Sequence, residues 1–231
     1  MKLKLITSAL IACVSTAALA DEITTTSGNT YVRIDGGYSS SMKFKHNNFI
    51  EDTTKKHKMG SAGVFGGGVG YRFNENVRTD LTISYRPGYS LKFNDTVDPI
   101  HYKGKVKSLV GLANVYYDVA TYGVVTPYVT AGMGIARNTL KNITANTQGG
   151  FTSFNGASKN NFAWTIGAGA STSLGNGFAF DLGYRFINLG KIKSGRNATI
   201  HNITFNNYLD AGYKTHHIRA HEIMAGIRYE F

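Results

Sequence analysis

This sequence predicts an all-β fold: an eight-stranded antiparallel transmembrane β-barrel with long loops at one end and short turns at the other. Three observations carry the prediction. Eight stretches of about ten residues alternate apolar with polar or small side chains, the period of a strand whose two faces meet different surroundings. The connections between those stretches alternate short and long. The chain closes on Tyr229-Glu230-Phe231, with aromatic residues at its last and third-last places. Composition agrees: 27 Gly, 14 Tyr and 13 Phe but only 3 Pro among 231 residues suit tightly turned strands better than helices. The net charge is +11, yet only 17% of residues are charged and 42% are hydrophobic, which excludes a disordered polycation or a histone-like tail. No nucleic-acid partner is expected.

Residues 1–20 have the layout of an export signal. Lys2 and Lys4 precede a mostly apolar stretch from Leu5 to Val14, and Ala18-Leu19-Ala20 offers small residues before Asp21. Cleavage there would leave 21–231 as the barrel domain and remove the single cysteine, so no disulfide, thiol nucleophile or thiolate metal site is expected. Leu10-Ile11-Ala12-Cys13 also fits a lipoprotein cleavage box, the alternative that would keep Cys13 acylated. Beyond residue 20 no run of 18 apolar residues occurs, so any crossing of a membrane must use strands.

The eight segments lie near 30–38, 62–73, 77–86, 108–117, 127–137, 161–174, 178–187 and 221–231. The first sets Arg33 and Asp35 on its polar face, and the second sets Arg72 there with Gly66, Gly68 and Gly70. In the third, Val77, Thr79, Leu81, Ile83 and Tyr85 oppose Arg78, Asp80, Thr82, Ser84 and Arg86. The fourth carries Asn114-Val115-Tyr116-Tyr117-Asp118, and the fifth places Gly132 and Gly134 inward. In the sixth, Phe162, Trp164, Ile166, Ala168 and Ala170 share one face; in the seventh, Phe178, Phe180, Leu182, Tyr184 and Phe186 oppose Asp181 and Arg185. In the last, Ile223, Ala225, Ile227, Tyr229 and Phe231 oppose Glu222, Arg228 and Glu230.

Alternation alone would also suit a secreted β-sandwich. The connections decide between the two. Asn74–Asn76 and Gly175–Gly177 are three residues and 118–126 is somewhat longer, while 39–61, 87–107, 138–160 and 188–220 hold twenty or more. In lipid every backbone amide needs a partner within the protein, so the strands must close. Eight strands leave a lumen only wide enough for side chains. The inward charges, Arg33, Asp35, Arg72, Arg78, Asp80, Arg86, Asp181, Arg185, Glu222, Arg228 and Glu230, are near balance in sign and predict an internal ion-pair network, with the inward glycines making room for the arginines.

The terminal strand Ile223–Phe231, with Asn114–Asp118, Pro127–Gly134 and Asp181–Phe186, resembles the opacity-type outer-membrane proteins of Gram-negative bacteria over about 30–231. Within that group size, basic balance and loop pattern are most similar to the rickettsial surface adhesins of the Adr type. The resemblance implies an outer-membrane location with the loops facing the cell exterior, host-protein binding of the vitronectin kind and resistance to complement. It also implies recognition of Phe231 by the barrel-assembly machinery. Fold alone does not specify that function.

Charge placement narrows the candidate site. Without Lys2 and Lys4 the chain has 23 bases and 14 acids, or +9; the four long connections hold 16 of those bases against five acids, which leaves the barrel and turns at −2. A basic excess at one end attracts acidic proteins, sulfated glycans or lipid phosphates. The candidate partner-binding residues are Lys43, Lys45, Lys55, Lys56 and Lys58 in the second-choice connection 39–61, and Lys191, Lys193, Arg196, Phe205, Tyr208, Lys214 and Arg219 in the first-choice connection 188–220. Cations beside aromatic anchors are what protein-binding loops use. Neutralising lipid headgroups is the plainer role for the same bases.

Catalysis finds no support: a lipid-modifying barrel enzyme needs a serine or carboxylate beside an activating histidine, no His-x-Ser occurs, and His221 is the only histidine within a strand. His217 and His221 have the i, i+4 spacing that aligns metal ligands on a helix, not on a strand, so no metal is expected. The expected protein is a monomer without cofactor, an adhesin in outer-membrane lipid; the alternatives are a structural barrel without a specific ligand and a lipid-modifying enzyme.

Overall fold

The alternating segments become eight long strands. The computed structural model describes residues 29–41, 44–45, 56–57, 60–94, 101–141, 143–147, 150–192, 198–200, 203–205 and 217–231. The wall consists of β1 (Thr30–Ser41), β2 (Ser61–Arg72), β3 (Val77–Asn94), β4 (His101–Asp118), β5 (Val125–Leu140), β6 (Ser158–Gly175), β7 (Phe178–Gly190) and β8 (Ile218–Glu230). Each strand pairs antiparallel with the next, and β8 pairs with β1, Ile34 standing opposite Ile227. Every strand thus has a partner on both sides and the sheet is closed, as lipid requires. The Phe231 N–H completes the seam by donating to the Thr30 carbonyl at 3.0 Å. The expected signal at 1–20 and its alternative at Cys13 lie outside the described residues.

The strands outrun the sequence expectation. Residues 87–94 and 101–107, expected as loop, belong to β3 and β4, each 18 residues long. Alternation is legible only while one face meets hydrocarbon, so a boundary read from it stops where the strand leaves the membrane. The β3–β4 register shifts between Arg86 and Tyr89, where Pro87 lacks the N–H a regular ladder needs. At the other end two of the three connections are tighter than expected, 119–124 and 176–177, while the first covers 73–76. Asn74 Oδ1 accepts from the Asn76 and Val77 amides at 2.9 and 2.8 Å, and β6–β7 turns on Asn176 and Gly177 alone, at φ 51° and 79°, the two positive values of a tight hairpin.

Side chains sort by face as the alternation predicts. Ile34 is 68% exposed, Leu81 58% and Ile135 64%, a surface that only lipid would accept. Tyr71, Phe73, Phe178, Tyr229 and Phe231 ring the turn end, packed in pairs such as Phe178–Tyr229 at 4.8 Å. Trp164 and Phe186, 5.4 Å apart, stand toward the loop end.

All eleven charges expected inward are found in the lumen, joined by Asp118, which makes six arginines and six acids. At the turn end Arg72 bridges Asp118 (3.0 Å) and Glu230 (2.8 Å), Arg228 reaches Asp181 (3.3 Å) and also pairs with Glu230, and Arg78 reaches Asp118 (3.2 Å). Above them Arg33 pairs with Asp35 (2.6 Å) and Asp80 (3.0 Å) and donates to the Tyr116 hydroxyl (2.8 Å). Higher still Glu222 accepts from Arg86 and Arg185, each at 2.7 Å. Gly66, Gly68, Gly70, Gly132 and Gly134 yield to other neighbours than the arginines expected: a Cβ on Gly70 would strike the Tyr31 ring, and one on Gly132 the Asn114 amide; Gly167 is the one that lies against an arginine side chain, Arg185. Tyr31 in turn lies under Arg228, 5.3 Å from guanidinium to ring.

The loop end of the tube is apolar, which the polar inner face of the sequence segments does not suggest. Tyr89, Val106, Val110, Ile187, Leu189 and Ile218 form a buried cluster above the Arg86–Glu222 pair. It caps the lumen with a core of the kind found in soluble proteins, built on the strand ends that extend past the membrane.

Candidate adhesive surface at the loop end

Above that cap the third and fourth connections do not stand as separate loops. A hairpin, Ile143–Thr147 with Gly150–Phe154, pairs alongside His101–Lys103 at the top of β4. A second hairpin, Ala198–Ile200 with Ile203–Phe205, pairs its first strand against Thr152–Phe154. One sheet therefore runs from the wall through the third connection into the fourth. Alternating Ile, Thr and Phe give these short segments their strand preference, but the pairing of one loop with another is a long-range choice no local pattern reveals.

Asparagines hold the base of this sheet. Asn161 of β6 clasps Lys191, accepting its N–H at 3.2 Å and donating to its carbonyl at 2.8 Å. Asn138 donates to the Leu189 carbonyl (2.8 Å) and accepts from Ser108 (2.7 Å). Ser39 and Tyr89 share a hydrogen bond of 2.6 Å. Buried polar side chains paired in this way make the mouth of the barrel a rigid base for what it carries. None of these residues stands out in the sequence, because an inward Asn differs from a solvated one only by its surroundings.

The sequence-predicted site residues scatter over this end. Lys191 is exposed directly after β7, held by Asn161. Arg219, expected in a loop, is an exposed residue of β8 opposite Asn188. Phe205 ends the outermost strand of the loop sheet, paired with Ala198. Lys45 and Lys56 are backbone partners in a separate two-residue ladder within the first connection. Lys43, Lys55, Lys58, Lys193, Arg196, Tyr208 and Lys214 lie outside the described residues. The structure thus joins Phe205 to the third connection and does not bring Lys191 and Arg219 onto the same feature.

Two histidines with described side chains serve the scaffold. His221 shares a hydrogen bond with the Tyr184 hydroxyl on the outer wall, and His217 Nδ1 lies 3.3 Å from Asn188 Oδ1. His216 lies outside the described residues. Because the lumen charges cancel one for one, the field in the surroundings comes from the bases at the rim.

Comparison with known proteins agrees with this anatomy. Residues 6–231 match the model of the outer membrane protein beta-barrel domain. The outer membrane protein PagN of Salmonella typhimurium is 36% identical over 147 residues, 58% of this chain and 62% of its own length, so the chain spans under two thirds of that relative. A candidate adhesin of Rickettsia canadensis is 31% identical over 199 residues, covering 80% of this chain and 84% of its own. In fold the chain is similar to the outer membrane protein OprG of Pseudomonas aeruginosa, with a TM-score of 0.54 at 14% identity over 89% of this chain and 97% of that one. The closed barrel, its lipid-facing band and these matches place the chain in the outer membrane and in one family: it belongs to the outer membrane protein beta-barrel domain proteins, among relatives that include rickettsial proteins named as candidate adhesins.

Proposed function

We propose that this barrel is a surface adhesin whose basic loop end binds a host serum or matrix glycoprotein of the vitronectin type and so aids resistance to complement. The observation that carries the reading is the loop sheet, which gives the third and fourth connections a shared, wall-anchored surface beside a basic rim. Rickettsial relatives named as candidate adhesins support it. Lys191, Lys193, Arg196, Phe205, Tyr208, Lys214 and Arg219 are the first-choice contacts, and Lys43, Lys45, Lys55, Lys56 and Lys58 the second. The barrel acts as a monomer, without cofactor and without enzymatic activity; the one histidine of the outer wall, among the described side chains, is His221, and it is engaged with the Tyr184 hydroxyl.

Steering by charge makes binding sensitive to salt, because the screening length falls to about 8 Å at physiological ionic strength. Reversing Lys191, Lys193 and Arg196 to Glu should slow association with immobilised vitronectin by about tenfold or more while changing dissociation less. Attachment that survives high salt and reversal of both basic sets would sink the steering mechanism and favour a structural barrel without a specific ligand.

Assembly is part of the same proposal. The barrel-assembly machinery reads the terminal strand, and Phe231 is 61% exposed at the seam, available for recognition before closure. Deleting Phe231 should leave most of the chain in the periplasm or degraded; heat-modifiable protein at normal yield in the outer membrane would refute that role.

A further inference from the structure

Four bases of the wall stand apart from the loop residues discussed above. Lys105 and Lys107 lie on β4, Arg137 on the neighbouring β5 and Lys141 directly after it: Leu109 is opposite Arg137, Lys107 is opposite Thr139, and the Lys141 amide donates to the Lys105 carbonyl at 2.9 Å. Their intervening residues, Val106, Ser108, Ala136, Asn138 and Leu140, are all buried, so the four side chains leave the wall sideways rather than upward. Among the described residues none of the four has an ion-pair partner, and the only acid outside the lumen is Glu75, in a turn at the opposite end.

Their height on the wall is what gives this patch meaning. On β4 the outward residues from Tyr117 to Leu109 are apolar or small, and on β5 the same holds from Val129 to Ile135. Eight steps from Tyr117 to Leu109 span about 27 Å along the strand, or about 20 Å of depth at a tilt near 40°. The next outward positions are Lys107 and Arg137, and Lys105 follows about 7 Å further along the strand. The bases therefore begin where the hydrocarbon ends, at the level of lipid headgroups.

We propose that Lys105, Lys107, Arg137 and Lys141 form a binding site for the phosphate groups of an anionic outer-leaflet glycolipid of the lipid A type. Long cationic side chains at a hydrocarbon edge lay their stems on the apolar wall and carry the charge to the headgroups. Anions dissolved in the medium would also be attracted by the charge. A lipid is favoured because the apolar wall directly beneath, Leu109 and Ile135 with Phe162 opposite Ile135, receives the acyl chains of the same molecule. The site is independent of the adhesin reading, which uses other residues.

Native mass spectrometry of the folded chain in detergent tests it, with bisphosphorylated lipid A, its dephosphorylated form, inorganic phosphate and a heparin-derived oligosaccharide as probes. Bisphosphorylated lipid A should bind one or more copies per barrel. The variant Lys105→Gln/Lys107→Gln/Arg137→Gln/Lys141→Gln should bind it at least about tenfold more weakly, since each base near an anionic surface is worth several-fold. The charge-keeping variant Lys105→Arg/Lys107→Arg/Arg137→Lys/Lys141→Arg and the loop variant Lys191→Gln should bind it as the parent does. If the quadruple glutamine variant does not fold, Lys107→Gln/Arg137→Gln carries the comparison, with a loss of about fivefold or more expected. Affinity unchanged by the glutamine substitutions, equal binding of dephosphorylated lipid A, or displacement of the lipid by inorganic phosphate or the oligosaccharide would each overturn the proposal.

Discussion

Replacing Glu222 by alanine is expected to lower the unfolding free energy of the barrel by about 3–5 kcal/mol, the cost of stripping a buried cation of its partner. Glu222 and Arg86 are both 0% exposed, and the two carboxylate oxygens accept from Arg86 at 2.7 and 2.9 Å while Oε2 also accepts from Arg185 at 2.7 Å. Alanine would leave two guanidinium groups facing each other in a medium of low dielectric. Glutamine keeps acceptors but not the charge, so Glu222→Gln should fall between the two. Replacing the whole triad with methionine should recover most of the loss, because a buried network can be exchanged for packed apolar groups at little cost. Trp164, the single tryptophan, reports from the wall, so its fluorescence during urea unfolding in lipid vesicles measures all of these. A Glu222→Ala chain within about 1 kcal/mol of the parent would mean that water or rearrangement compensates the arginines, contrary to the packing described here.

Leu81→Arg should cost about 2–4 kcal/mol, although Leu81 is 58% exposed and its substitution would be neutral on a soluble protein. Leu81 sits mid-strand on β3, between Val69 and Ala113 on its neighbours, near the centre of the lipid-facing band. Ile135, 64% exposed, lies on β5 next to the basic rim, and Ile135→Arg should cost only about 0–1 kcal/mol because the side chain can reach the headgroups. Equal costs at the two positions would contradict the membrane placement derived from the wall.

The lumen was largely legible because side-chain parity is a local property. Once Arg78 and Asp80 are on the inner face of β3, so are Arg86 and Ser84, and the same count along β8 turns Glu222, Arg228 and Glu230 inward. Asp118 shares the parity of Asn114 and Tyr116 but lies one residue past 117, where the alternation of the fourth segment ends. Which arginine meets which acid was not legible. Arg72 and Glu230 are 158 residues apart, and their 2.8 Å contact depends on the closing register of β1 against β8.

The sequence by itself determined the strand count, the inward and outward residues, the two ends and the address, because each follows from alternation, spacing or a terminal signal that acts over a few residues. Only the tertiary structure decided the apolar cap of Tyr89, Val106 and Leu189, the fusion of two loops into one sheet and the gathering of Lys105, Lys107, Arg137 and Lys141 at the headgroup level. These depend on where each strand leaves the membrane and on the stagger between neighbours. Periodicity carries no record of either, since a residue's parity says which face it occupies but not its height relative to the next strand.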